Sequence, residues 1–436
     1  MIYLPISMRI EDYAPIAGAD AVESLRAEAE RLKGRRVLHI NSTFIGGGVA
    51  ELLKAIVPMM GALGLKAEWN IITGDDEFFN ATKSFHNALH GTPVTITEGM
   101  IRSYEETNRR NAKELDLSAD CLFIHDPQPA MLIESRKGGF WVWRCHIDIS
   151  SPTDAVWSYL SRHVRKYDAA VVHIPEYAKP DLGIPQHVIP PSIDPLSEKN
   201  IDLPKDYIES ILRKYDLDPE LPIITQVSRF DRLKDPVGVF KAFRQVKESV
   251  GLLDFREAFT RDRYVVDVFR TLRERSLIQL VLVGGSATDD PEGYRVYKEV
   301  LGKAISDRNV FVLMLPPDAH REINAIQRGS TILIQKSLRE GFGLTVTEGM
   351  WKGKAVIGGM TGGIAHQIRD GETGFLVRSV NEAAERILYL LRNPKERERL
   401  GAAAKEHVRR NYLVTRHVRD YLRVIGDGVS ANPIPN

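Results

Sequence analysis

The chain has 436 residues, and its 59 lysines and arginines nearly cancel its 58 aspartates and glutamates, leaving a formal net charge of +1. That balance provides no basic field for nucleic acid and no acidic tail, and the length accommodates two domains. Cys121 and Cys145 form no C-x-x-C pair and suggest no disulfide framework. With no signal-peptide pattern and no apolar run of transmembrane length, the expectation is a cytoplasmic protein without a nucleic-acid or membrane partner.

In chain order, Asp20-Ala-Val-Glu23 resembles a capping box. Val22, Leu25, Ala29 and Leu32 then recur at helical spacing, and Gly34 stops the helix. Arg36 to Asn41 reads as a strand. Gly46-Gly47-Gly48 follows it and opens a helix with Leu52, Leu53, Ile56 and Val57 on one side. Further strands are expected at Glu68–Ile72, Cys121–His125, Trp141–Cys145, Ala169–Ile174 and His187–Ile189. Ile189 to Asn200, with Pro190, Pro191 and Pro195, reads as a linker. A second series follows at Ile223–Val227, Leu280–Val283, Val310–Leu313, Thr331–Gln335, Ala355–Gly358 and Gly374–Val377. Alternation of strands and helices predicts an α/β chain of two doubly wound, parallel-sheet domains joined near residue 195. Gly251 to Ser276 interrupts the rhythm and reads as an added helical element, either packed on its own domain or a subunit contact.

Most candidate chemistry falls at strand ends, where open sheets of this kind bind ligands. Glu340 and Glu348 bracket seven residues, with a Gly-Phe-Gly turn between a predicted strand and the helix beginning at Leu344. Amides near Gly343, Leu344 and Thr345, at the positive end of that helix, suit an anion such as a diphosphate. The carboxylates could accept hydrogen bonds from sugar or ribose hydroxyls. Arg229 and Lys234 follow the strand Ile223–Val227, where two cations can neutralise a diphosphate leaving group; a solvated surface pair is the plainer alternative. Gly47 and Gly48 suit a phosphate-approaching loop. Their rival readings are a tight turn, or a dinucleotide fingerprint with Glu68, although Glu51 occupies its third glycine position. Asp126, between His125 and Pro127-Gln128-Pro129, could bind or deprotonate a hydroxyl. His146 and Asp148 end the next strand and could face a cleft or form a buried hydrogen-bonded pair. Asn80 and His86 are candidates for a polar pocket. Thr361-Gly-Gly363 follows a strand and would let backbone approach a ligand.

Taken together, these residues resemble retaining nucleotide-sugar glycosyltransferases of the GT-B fold. The pair Glu340 and Glu348 looks like the family's E-x7-E element, Arg229 and Lys234 like its diphosphate-binding cations, and Gly46 to Gly48 like its N-terminal glycine loop. The stretches Asn41 to Ala50, His125 to Pro129, Trp143 to Asp148, Pro190 to Pro195 and Gln226 to Phe230 narrow the resemblance to trehalose synthases of the glycosyltransferring type. Fungal-type trehalose phosphorylases look similar in the same core.

The resemblance implies two Rossmann-like domains facing across a cleft. Residues 1–195 would be the acceptor side, with a C-terminal helix at about 414–436 packed back on it, and 196–413 would bind the donor. It implies reversible transfer of glucose from a nucleoside diphosphate glucose (ADP-, UDP- or GDP-glucose) to free glucose, giving α,α-trehalose. Glu340 would hold the donor glucose, Glu348 the ribose, and His146 the neighbourhood of the donor 6-hydroxyl. Asp126, with Gln128, His86 and Asn80, would line the acceptor sugar. No cofactor or metal is obligatory, magnesium could act as an activator, and a homodimer is allowed. The alternatives are a trehalose phosphorylase, a hexosyltransferase with another acceptor, and a non-catalytic sensor or an epimerase on the same fold.

Overall fold

The computed structural model describes residues 8–45, 47–259, 278–285, 291–305 and 307–431. The chain divides into two compact units, 1–194 with 412–436, and 195–411.

The first unit carries β1 (Arg36–Asn41), β2 (Lys66–Ile71), β3 (Cys121–His125), β4 (Phe140–Arg144), β5 (Ala169–Val172) and β6 (Gln186–Val188). They form one parallel sheet in the order β2-β1-β3-β4-β5-β6. β3 and β4 are buried along their whole length. Near-continuous apolar runs suit a sheet covered on both faces. Leu38, Ile40, Leu122, Ile124, Trp141 and Trp143 pack with Phe78, Phe85 and Tyr104 from the helices Asp76–Leu89 and Glu98–Glu114. Strand alternation puts His39, Phe123, His125 and Arg144 on the other face. There the helix Val414–Ala431 covers them, and its Tyr421 stacks on Phe123 at 4.6 Å between ring centroids.

The second unit carries β7 (Ile223–Val227), β8 (Gln279–Gly285), β9 (Val310–Leu315), β10 (Ile332–Gln335), β11 (Ala355–Gly359) and β12 (Phe375–Val377). This sheet is also parallel, in the order β12-β11-β10-β7-β8-β9. The strand order reverses at β1/β3 in one unit and at β7/β10 in the other. Connections from those neighbours diverge to opposite faces, which leaves a crevice at their carboxyl ends. Two Rossmann-like sheets of this order make the GT-B class of the sequence reading the observed one.

One expectation changes. The capping box at Asp20–Glu23 does not form: the helix Ala19–Glu30 begins at Gly18, which supplies no capping side chain. Asp20 therefore lies inside the first turn, where its charge favours the positive end of the helix. The added element at 251–276 begins as a continuation of the helix Pro236–Phe259, and 260–276 lies outside the described residues.

The chain passes between the units at 194–195 and again at 411–412, both beside one short parallel bridge. Ile193 N donates to Tyr412 O at 2.8 Å, and Val414 N donates to Ile193 O at 3.0 Å. Among the described residues, no helix is long and apolar enough to cross a membrane.

Candidate active site

In the second unit the reversal point brings two loops together. Residues 231–235 follow β7 and residues 336–340 follow β10. Leu338 N donates to Leu233 O at 2.7 Å, and Gln226 Nε2 donates to Lys234 O at 2.7 Å. Lys336 also pairs with Asp235. These ties carry Lys234 onto Glu340: its Nζ lies 2.6 and 2.7 Å from the two carboxylate oxygens. Ser337 Oγ donates to the same carboxylate at 3.1 Å. Arg229 is exposed, with Asp231 as a distant partner at 3.9 Å. It is a cation with little local compensation, as an anion site needs.

Gly343 caps the helix Leu344–Trp351 in the left-handed region at φ +87°, where other residues are strained. This turn lets the amides at Leu344 and Thr345 open the helix directly after the Glu340 loop. Gly363 explains the second glycine pair. A methyl there would stand 2.4 Å from Phe342 Cα and 2.8 Å from Gly341 O. Its bareness lets neighbouring backbone approach the Glu340 turn. Gly363→Ala should therefore shift that turn and cost about 1–3 kcal/mol of stability, with slower turnover. Denaturant titration beside an activity assay checks it, and an unchanged variant would show that the contact yields freely.

Glu348 has no exposed surface. Its carboxylate takes Lys199 Nζ at 2.8 Å and Gln327 Nε2 at 3.2 Å. A ribose can reach it only if Lys199 gives way. Lys199 was read as linker, and its neighbourhood gives no local signal for a partner so far along the chain.

In the first unit, Gly47 and Gly48 are exposed at the start of the helix Gly47–Ala62, Gly47 with φ +76°; Gly46 lies outside the described residues. Glu68 is held by Arg36, Nε to Oε1 at 2.8 Å and Nη2 to Oε2 at 2.9 Å. That pairing counts against the dinucleotide reading, which needs Glu68 on a ribose and a glycine where Glu51 stands. At the end of β3, Asp126 sits at φ +65°. Its Oδ1 accepts from His146 N at 2.7 Å, and its own N–H donates to Arg144 O at 2.9 Å. Burial pushes the Asp126 carboxyl up to about 7, against the opposing pull of the His146 amide and the Arg144 guanidinium. Gln128, partly buried, is anchored through its carbonyl by Asn108 Nδ2 at 3.1 Å.

Asp126 and His146 are thus brought together. Both His146 ring nitrogens already face histidines: Nε2 lies 2.9 Å from His125 Nδ1, and Nδ1 lies 3.2 Å from His173 Nε2. Asp148 is not His146's partner; its Oδ1 accepts from Ser150 N at 2.9 Å. Asn80 and His86 lie six positions apart on the helix Asp76–Leu89, about 120° around its axis. They do not share a face, and the His86 ring lies against His90 at 4.9 Å. Sequence reading missed His125 and His173 as partners of His146, and His39 as the partner of His125, because each stands in or beside an apolar strand run.

The similarities of the chain to known proteins bear on these geometries. Residues 39–179 match the family described as "Trehalose synthase, N-terminal domain", and residues 262–407 match "Glycosyl transferases group 1". A trehalose synthase of Pyrococcus horikoshii is 48% identical over 422 residues, covering 96% of each chain. A trehalose phosphorylase of Pleurotus pulmonarius is 27% identical, covering 87% of this chain and 55% of its own length. In fold, the chain is similar to sucrose-phosphate synthase from Thermosynechococcus elongatus, with a TM-score of 0.66 at 15% identity over 91% of this chain and 100% of that one. The two sheets, the loops at their reversal points and a relative of this identity over nearly the full length lead to one conclusion: the chain belongs to the trehalose synthase family and is a glycosyltransferase.

Proposed function

We propose that the protein is a retaining glucosyltransferase that moves glucose from a nucleoside diphosphate glucose to free glucose, giving α,α-trehalose, and runs in both directions. The observation that carries this reading is the Lys234–Glu340 pair at the β7/β10 reversal point, beside exposed Arg229 and a helix N-terminus. That arrangement places a carboxylate for sugar hydroxyls next to a cationic, amide-lined seat for a diphosphate. The second unit would hold the donor, and the first, through Asp126 and Gln128, the acceptor.

In the transfer, the bond from glucosyl C1 to the β-phosphate oxygen breaks, and a bond from C1 to the acceptor 1-hydroxyl oxygen forms on the same face. The acceptor proton passes to the departing phosphate oxygen. The protein contributes position and charge stabilisation rather than a nucleophile. Arg229, Lys234 and the amides at Leu344 and Thr345 meet the growing charge on the diphosphate. Glu340, steadied by Lys234 and Ser337, accepts hydroxyl hydrogen bonds from the glucosyl ring.

Incubating the protein with trehalose and a nucleoside diphosphate (ADP, UDP and GDP in turn) should release glucose and form the nucleotide sugar. Trehalose with inorganic phosphate should release none. Release with phosphate alone would make it a phosphorylase, and no release in either arm would remove the reading. Running the forward reaction with glucose and with glucose 6-phosphate tests the acceptor. Free glucose is expected, because the stretches Phe79 to His86 and His125 to Pro129 offer Lys83 and two histidines but no arginine, the side chain a dedicated phosphate site normally uses, and Arg144 is fully buried. Repeating the assay with magnesium tests activation.

A further inference from the structure

Glu348 is a carboxylate with no exposed surface on the second turn of the helix Leu344–Trp351. Lys199 Nζ lies 2.8 Å from its Oε1, and Gln327 Nε2 lies 3.2 Å from its Oε2. Gln327 is fully buried, whereas the Lys199 side chain is 16% exposed. Of these two groups, Lys199 is the one that stands toward solvent. The ammonium balances charge without aiming a proton: Oε1 is buried and accepts no hydrogen bond. That oxygen still lacks the directed donor it would take from water.

Glu348 follows Leu344 by four positions, so the two lie on one side of the helix, roughly 6 Å apart along its axis. A ribose whose diphosphate sits at the Leu344 and Thr345 amides reaches that far. It carries two vicinal hydroxyls, each able to donate to a carboxylate oxygen. The diol thus supplies the directed donors that the ammonium does not.

Lys199 is placed to move without its backbone. Asn324 Nδ2 donates to Glu198 O at 2.9 Å and to Ile201 O at 2.8 Å. Asn200 O accepts from Arg328 Nη2 at 2.9 Å and from Trp351 Nε1 at 3.2 Å. The main chain on both sides of Lys199 is therefore tied to the helices His320–Gly329 and Leu344–Trp351. The flexible four-carbon stem of a lysine can still rotate, carrying the ammonium off the carboxylate while the segment that holds it stays in place.

We propose that Lys199 is an internal competitor for the nucleotide: its ammonium holds the place of the ribose at Glu348, the ribose diol displaces it, and it returns as the nucleoside diphosphate leaves. The pair keeps a buried carboxylate compensated between turnovers. It also weakens the hold on every ribonucleotide, because apparent affinity is lowered by the fraction of molecules in which the pair is closed. A ligand without the diol leaves the pair in place and gains nothing at Glu348. The inference rests on the glucosyltransferase reading, which puts a nucleotide at this helix.

Acetylation footprinting of the full chain reads the displacement, while phenylglyoxal modification of exposed Arg229 reports the diphosphate. ADP, UDP and GDP are tried in turn, each beside its 2′,3′-dideoxy form, with inorganic pyrophosphate as a probe that has no ribose. The ribonucleotide should protect Arg229 and raise acetylation of Lys199 severalfold. The dideoxynucleotide and pyrophosphate should protect Arg229 alone. Arg229 protected by the ribonucleotide with Lys199 unchanged would make the pair a plain structural tie. Lys199 exposed equally by pyrophosphate would assign the displacement to the diphosphate; either result overturns the proposal. Arg229 protected by none of the probes would instead remove the donor reading, and the inference with it. Lys199→Met, close in length and without charge, should bind the ribonucleotide about fivefold more tightly, the scale of one partly exposed ion pair. It should release the ribonucleotide correspondingly more slowly, with pyrophosphate binding unchanged. Weaker ribonucleotide binding in that variant would make Lys199 a ligand of the nucleotide rather than its competitor. If the variant does not fold, the footprint of the native chain still decides.

Discussion

Lys234→Ala lowers turnover by about a hundredfold or more, the usual scale for losing one charge-stabilising group at a developing anion. The ammonium has two tasks. It faces the position expected for the diphosphate, and it neutralises Glu340 through both carboxylate oxygens. The side chains of the pair are only 18% and 11% exposed. Removing the cation therefore leaves a largely buried carboxylate without its ammonium partner, though still accepting from Ser337 Oγ, and melting should shift downward as well. Arg229→Ala separates the two effects. Arg229 is 58% exposed on its side chain and holds its neighbour only at 3.9 Å, so turnover should fall while Tm stays near that of the native chain. Because Lys234 and Glu340 act as a unit, Lys234→Met combined with Glu340→Gln should be little slower than the slower single variant. Steady-state kinetics and thermal melts on the four proteins check this. Near-native turnover in both Lys234→Ala and Arg229→Ala would remove the diphosphate assignment.

Asp126→Asn abolishes a pH dependence that the native chain should show. The carboxyl sits at about 7 in the folded protein because of burial, against an ordinary value near 4 in the unfolded chain. Between those values the folded state holds a proton that the unfolded state has released. Stability therefore falls as pH rises from about 4 to about 7. Asparagine tolerates the left-handed backbone at φ +65°, and its side chain does not ionise. The Tm difference between Asp126→Asn and the native chain should thus move in favour of the variant from pH 5 to pH 8. Activity should move the other way. An ionised carboxylate accepts a hydroxyl proton better than a protonated one, so native kcat/KM for glucose should rise through about pH 7, and that rise should be missing in the variant. A pH-independent Tm difference would mean that Asp126 is not held near neutrality. A native pH profile surviving in Asp126→Asn would take Asp126 off the acceptor.

Local patterns in the sequence were enough to set the strands and their type. Runs such as Cys121–His125 and Ile223–Val227 are apolar without interruption, and only a strand covered on both faces buries them all. The strand, the glycine turn and the helix Leu344–Trp351 were legible together, since a glycine cap and an apolar helix start are local signals. The capping box at Asp20 was a local signal that misled: Gly18 begins the helix earlier. Only the tertiary structure decided which strands are neighbours, and with that every pairing in the site. Lys234 and Glu340 are 106 residues apart. They meet because β10 lies beside β7 rather than beside β9, its predecessor in sequence. Lys199 and Glu348 also meet from far apart in the chain, although the segment holding Lys199 has the composition of a linker. The four histidines stand in or beside apolar strand runs, where nothing local separates a satisfied core imidazole from a member of a chain. Sheet order comes from how twisted strands and their crossover helices pack, a property of the whole unit that no residue's period or propensity encodes.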